Sequence, residues 1–307
     1  MAATQFVTDG GLETDLIFHR GFDLPDFASF PLLDDENGRA ALTDYYAGYA
    51  AIAAAHGVGL QLETPTWRAN PDWGARLGYD AAALAATNQA AVGFLRALAG
   101  EWSDRIDDIR VSGQIGPRGD GYVPGAAVDP DEAADYHRPQ VAAFAAAGAD
   151  LVSALTLSDV GEAVGVVRAA RDAGVPVLIS FTVETDGRLP TGLTLAEAIL
   201  ATDEAAAPDS FMVNCAHPDH VARGLTGAGP WERVHGLRVN ASDLSHEELD
   251  AMTDLDDGDP DALATAHARL EDLLPAVSVV GGCCGTDTRH VAAIWRDRPK
   301  AAAVTQT

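Results

Sequence analysis

The chain is 307 residues long and 47% hydrophobic, enough apolar material for one large core, and 46 acidic against 20 basic residues give a formal net charge of −26. That balance excludes the clustered lysine and arginine with which a nucleic-acid binder displaces counterions. No apolar run reaches the roughly 18 residues of a membrane-spanning helix, and Met1 to Val7 lacks the basic flank and long apolar stretch of a signal peptide, so the sequence predicts a cytoplasmic protein.

Lys300 is the single lysine. The acidity reads first as a solvated, halophile-like surface, because self-repulsion on this scale is tolerated best where salt screens it. Three cysteines, an odd number with two of them adjacent, make a poor disulfide framework and fit thiolate chemistry in a reducing compartment better.

In chain order, short β-branched runs alternate with longer Ala-rich helical segments. Phe6-Val7-Thr8 predicts a first strand that ends at Asp9-Gly10-Gly11, followed by a long loop over residues 18–41 and a helix over 43–56. Leu60 to Thr64 is a second strand stopped by Pro65, with an Asp-capped helix over 80–98. Ile109 to Gly113 is a third, opening into Gly116-Pro117-Arg118-Gly119, with a helix over 130–147. Leu151 to Thr156 is a fourth, with Asp159 as cap of the next helix, and Val177 to Phe181 is a fifth, with a helix over 194–206. The sixth ends at Asn214-Cys215, the seventh is Gly236 to Asn240, and the eighth is Val277 to Val280, delivering Cys283 and Cys284. Helices over 261–274 and 288–295 complete the pattern, and a loose tail covers 300–307.

Eight strands alternating with helical segments predict a single (β/α)8 barrel over residues 1–299. The alternative, an open doubly wound sheet, would carry a Gly-rich phosphate turn after its first strand, and Asp9-Gly10-Gly11-Leu12-Glu13 does not match G-x-G-x-x-G. In such a barrel the C-terminal strand ends form one rim, where Cys215 and the Cys283-Cys284 pair fall. Three thiolates converging there make a soft site suited to zinc, and three protein ligands with one open position is the catalytic arrangement. A lone Cys215 would read as ordinary core, whereas the adjacent pair embedded in glycines would not. His217, His220 and His290 lie close in sequence but beyond the strand ends, and read as solvated.

The combination of Asp9-Gly10-Gly11-Leu12-Glu13-Thr14, Gly116-Pro117-Arg118-Gly119, Asn214-Cys215 and Gly281-Gly282-Cys283-Cys284-Gly285-Thr286, in order over nearly the whole chain, resembles the homocysteine S-methyltransferase family. That resemblance implies a zinc ion held by Cys215, Cys283 and Cys284, with the homocysteine thiol as fourth ligand and a methyl donor as second substrate. It also implies that Asp9 holds the substrate amino group, that the Gly10 backbone approaches the ligand, and that Asn214 positions a zinc ligand or the substrate carboxylate.

Two departures stand out. Where many members carry Glu-Thr after the fourth strand, with the glutamate as second ammonium anchor, this chain reads Leu155-Thr156, which makes Glu63 and Glu184 the candidates to replace it. Where many have a Tyr-Pro-Asn-Ser-Gly turn at strand seven, this chain reads Arg238-Val239-Asn240-Ala241-Ser242. A thiol-binding module served by a separate corrinoid or folate protein, a methyltransferase for another thiol, and a non-catalytic zinc barrel stay open as alternatives. Trp67, Trp73 and Tyr122 are the aromatics placed to meet a cationic donor.

Overall fold

The computed structural model describes residues 4–123, 125–296 and 298. Eight parallel strands follow one another around a closed barrel: β1 (Phe6–Val7), β2 (Gly59–Glu63), β3 (Ile109–Ile115), β4 (Leu151–Leu157), β5 (Val177–Phe181), β6 (Ser210–Asn214), β7 (Val234–Val239) and β8 (Val279–Gly282). β1 closes the ring, Phe6 standing opposite Gly59 on one side and Val279 on the other. A helix follows each strand: α1 (Glu36–His56), α2 (Ala81–Trp102), α3 (Pro130–Ala146), α4 (Val160–Ala173), α5 (Leu195–Ala205), α6 (Pro218–Gly224), α7 (Pro260–Glu271) and α8 (Thr288–Arg296). This is the (β/α)8 barrel that the alternation predicts. Among the described residues no helix is long and apolar enough to cross a membrane.

Side chains alternate across each strand, and the two faces meet different surroundings. Outward residues such as Leu60, Leu62, Val111, Ile179, Phe211 and Leu237 join Leu42, Tyr46, Leu95, Phe144 and Val166 of the helices in the main core. Inside the barrel, Phe6, Leu178, Met212 and Val279 form an apolar plug. Beyond the plug the interior turns polar: Leu178 is succeeded by Ser180, Met212 by Asn214, and Gly236 by Arg238, all three polar residues buried. The change of polarity along each strand is what builds a chemical site at one end of the barrel.

Three boundaries differ from expectation for physical reasons. α1 starts at Glu36 rather than residue 43, because the Asp35 carboxylate accepts the Gly38 amide at 2.8 Å and caps a turn inside the expected loop. α6 fills the gap after β6, its Pro218 start capped by His217. β8 runs through Gly281 and Gly282, because a Cβ on Gly281 would stand 2.5 Å from the Asp9 carbonyl; only glycine lets β1 and β8 approach there. The expected tail, 300–307, lies outside the described residues.

Candidate metal and thiol site

The three cysteine backbones are fixed by the ends of β6, β7 and β8. Cys215 N–H donates to the Arg238 carbonyl (3.1 Å), Cys283 N–H to the Val239 carbonyl (2.8 Å), and the Cys284 carbonyl accepts from Ala241 N–H (3.1 Å). Cys215 has a left-handed backbone (φ 54°), and so does Thr156 at the end of β4 (φ 64°), two strained non-glycine residues facing the same rim. Asn214 ties them together. Its Oδ1 accepts from Thr156 N–H (2.8 Å) and Ser180 Oγ (2.6 Å), while its Nδ2 donates to Thr156 Oγ1 (2.8 Å) and reaches Cys283 Sγ at 3.8 Å.

The three Sγ atoms lie within 4.8 Å of one another. Zinc–sulfur bonds of about 2.3 Å in a tetrahedron separate sulfurs by about 3.8 Å, and Cys215 and Cys284 stand 3.9 Å apart, so this soft donor set fits the ion. Cys215 and Cys283 are nearer still, close enough for oxidation to join them, with their Cα atoms 5.4 Å apart. The same two sulfurs either close on each other or bind a metal, and reduction is the condition for the second. Burial, with the charge of Glu13 nearby, pushes the Cys284 thiol up to about 12.

Strand one supplies the facing wall. A Cβ on Gly10 would sit 2.5 Å from the Tyr49 hydroxyl, and one on Gly11 would sit 2.5 Å from the Cys283 carbonyl. These glycines therefore seat the β1 loop against α1 and the cysteine loop, a packing role beside the expected approach of Gly10 to a ligand. Asp9 lines the cavity, and its charge is already matched. Its Oδ1 accepts from Arg238 Nη1 at 2.6 Å and from Thr8 Oγ1 at 3.2 Å, while its Oδ2 accepts from the Tyr45 hydroxyl at 3.1 Å. The Asp9–Arg238 pair is almost wholly buried. Arg238 also donates to the Gly10 and Gly282 carbonyls (both 3.1 Å); burial opposes its charge, but the Asp9 and Glu63 carboxylates outweigh that and raise its pKa.

Leu155 lines the cavity with an apolar side chain, and neither proposed replacement for a carboxylate there reaches it. Glu63 is held inside the barrel by Gln61 Nε2 (2.7 Å) and Ser153 Oγ (3.1 Å) and does not line the cavity; burial raises its pKa. Glu184 turns to His246 Nδ1 (2.8 Å), whose Nε2 lies 2.7 Å from the Cys215 carbonyl. The glutamate that does line the cavity is Glu13, from the turn after β1, with Ser29 Oγ donating to its Oε1 at 2.8 Å. Burial raises the Glu13 pKa. Sequence reading assigned no role to Glu13 or Arg238; the available signals were an acid directly after Gly-Gly-Leu and a lone arginine in an apolar strand.

His217, His220 and His290 lie away from the cysteine cluster. His220 and His290 are buried rather than solvated, and burial lowers the pKa of both His217 and His220. Of the aromatics, Trp67 and Tyr122 line the cavity, whereas Trp73 is covered by Arg68 at 3.7 Å. Tyr122 stacks on His246 with ring centroids 4.1 Å apart.

The cavity is narrow and open on one side. A wider space adjoins it, sharing Thr14, Phe27, Trp67, Tyr122 and Cys284, and carries Asp120, Asp250, Asp254 and Asp256 against Arg68.

Against curated protein sequences the chain has no match. Among solved structures it is similar to the metallated form of the homocysteine methyltransferase MmuM from Escherichia coli (TM-score 0.74, 20% identity, 96% of this chain and 97% of that one). It is also similar to the oxidised form of that protein (TM-score 0.75, 20% identity, 96% of each chain). At that identity the likeness concerns the fold. The homocysteine S-methyltransferase family profile matches residues 6–297, which takes in every strand, helix and cysteine described above. The chain belongs to the homocysteine S-methyltransferase family.

Proposed function

We propose that the protein is a zinc-dependent methyltransferase acting on the thiol of homocysteine or a close relative, and that Cys215, Cys283 and Cys284 hold the metal. The observation that carries the reading is the convergence of three sulfurs within 4.8 Å at the C-terminal rim of a barrel from this family. A free thiol with its pKa near 8.5 is mostly protonated at neutral pH, and zinc, when bound, supplies the charge that removes that proton.

The chain's own residues do the rest. Asn214 fixes Thr156 and approaches Cys283, the β1 glycines bring the facing wall close, and Leu155 and Trp67 exclude water from one side of the cavity. The thiolate sulfur attacks the methyl carbon, a C–S bond forms, and the electron pair of the breaking bond leaves with the donor. The four aspartates and the aromatics of the adjoining chamber favour a positively charged donor, a sulfonium or quaternary ammonium, which becomes neutral on losing its methyl group. Reduced thiols suit a cytoplasmic site of action.

The test is zinc quantification with a thiol and donor panel on reduced wild type and Cys283→Ala. Stoichiometric zinc and methyl transfer in the wild type, both lost in the variant, is the expected result. A wild type without zinc, or a variant that methylates as well, overturns the reading. Transfer that occurs only after a corrinoid or folate protein is added would favour the thiol-binding module instead.

A further inference from the structure

On the wall of the thiol cavity Asp9 and Arg238 form an ion pair, and Glu13 forms none among the described residues. Asp9 is matched by Arg238 and closed further by Thr8 and Tyr45. Glu63 lies inside the barrel, off the cavity wall, and position 155 carries an aliphatic chain. Glu13 lines the same cavity as the cysteines, has Ser29 as its only side-chain hydrogen-bond partner, and has no ion-pair partner among the described residues. A carboxylate taken out of water without a counter-ion is costly, and the cost is relieved when the partner arrives with a ligand.

We propose that Glu13 is the specificity-determining carboxylate for the acceptor, receiving the ammonium of an amino-acid thiol in a pocket where Asp9 is committed to Arg238. The proposal rests on the thiol-methyltransferase reading and adds which atom of this chain selects for the amino group. Ser29 orients it: one carboxylate oxygen accepts from the serine hydroxyl, which also reaches the Pro65 carbonyl at 3.3 Å and so ties the Glu13 turn to the end of β2. Leu155 then faces the aliphatic part of the acceptor.

The experiment measures binding of two thiols to the reduced, zinc-loaded protein by calorimetry: homocysteine, and γ-mercaptobutyrate, the same acid without its amino group. Wild type is expected to bind homocysteine about 10-fold or more tightly than γ-mercaptobutyrate, as a charge-assisted hydrogen bond in a buried setting requires. Glu13→Gln is expected to bring that ratio to about 2-fold or less while binding γ-mercaptobutyrate as wild type does. Ser29→Ala, a milder change that leaves the carboxylate in place, is expected to reduce the ratio part of the way, and serves if Glu13→Gln fails to fold. A ratio unchanged in the variants overturns the proposal, and so does a wild type that favours γ-mercaptobutyrate, which would instead assign the remaining donor of Arg238 to the thiol's carboxylate. Failure of either thiol to bind overturns the underlying functional reading along with it, a result distinct from binding without discrimination.

Discussion

Asn214 shows how one side chain holds a rim in shape. It satisfies the Thr156 amide, exchanges hydrogen bonds with the Thr156 and Ser180 hydroxyls, and reaches the Cys283 sulfur from inside the barrel. Asn214→Ala leaves a buried amide unpaired and is expected to lower the unfolding free energy by about 2 kcal/mol and to weaken zinc binding. Urea titration with and without zinc measures both, and a variant within about 0.5 kcal/mol of wild type would contradict the role. Glu13 carries a pH signature. Its pKa is raised by burial, so the folded chain holds a proton that the unfolded chain has already released; stability falls as pH rises from the ordinary carboxylate range through the raised value. Glu13→Gln is therefore expected to raise the melting temperature of the ligand-free protein at pH 7, with the gain vanishing near pH 4, and thermal melts at the two pH values test this. The cysteines were legible because adjacent thiols in glycine are rare as packing. Arg238 and Glu13 were not, because nothing in their local sequence says that the strand-seven side chain points inward at Asp9, or that the turn after Gly11 folds into the cavity.

At the scale of elements, the seam between β1 and β8 decides whether the site closes. Gly281 admits the Asp9 carbonyl where a methyl group would stand 2.5 Å from it, and Gly282 is crowded in the same way by the Thr286 side chain. Gly281→Ala is expected to destabilise the fold by about 1–3 kcal/mol and to lower zinc retention by displacing Cys283, both read from metal-loaded denaturation curves. A stable variant that keeps its zinc would show that the seam has slack. Much of the element pattern could be read directly. Asp80 and Asp159 cap α2 and α4, accepting the Ala83 and Glu162 amides at 2.8 and 3.0 Å, as their placement before helical runs predicts. The start of α1 and the glycine half of β8 could not be read, since propensity disfavours glycine in both and only tertiary contacts, Gly38 against the Leu32 backbone and Gly281 against Asp9, require it there.

For the whole molecule, charge and metal set the conditions of stability. A formal net charge of −26 repels itself, and salt screens it. The melting temperature is expected to rise steadily between dilute buffer and molar potassium chloride, and a flat profile would mean that the acidity costs the fold nothing. Zinc held as proposed would add a second linkage, because its ligands must be deprotonated and burial holds the Cys284 thiol up at about 12. Affinity for the ion is therefore expected to weaken as pH is lowered from 8 to 6. The central claim is that the three cysteines hold a zinc ion whose remaining position takes the acceptor thiol. X-ray absorption at the zinc edge of the reduced, zinc-loaded protein tests it most directly: three sulfurs and one lighter atom without ligand, becoming four sulfurs when homocysteine is added. A sulfur count that homocysteine leaves unchanged would contradict it.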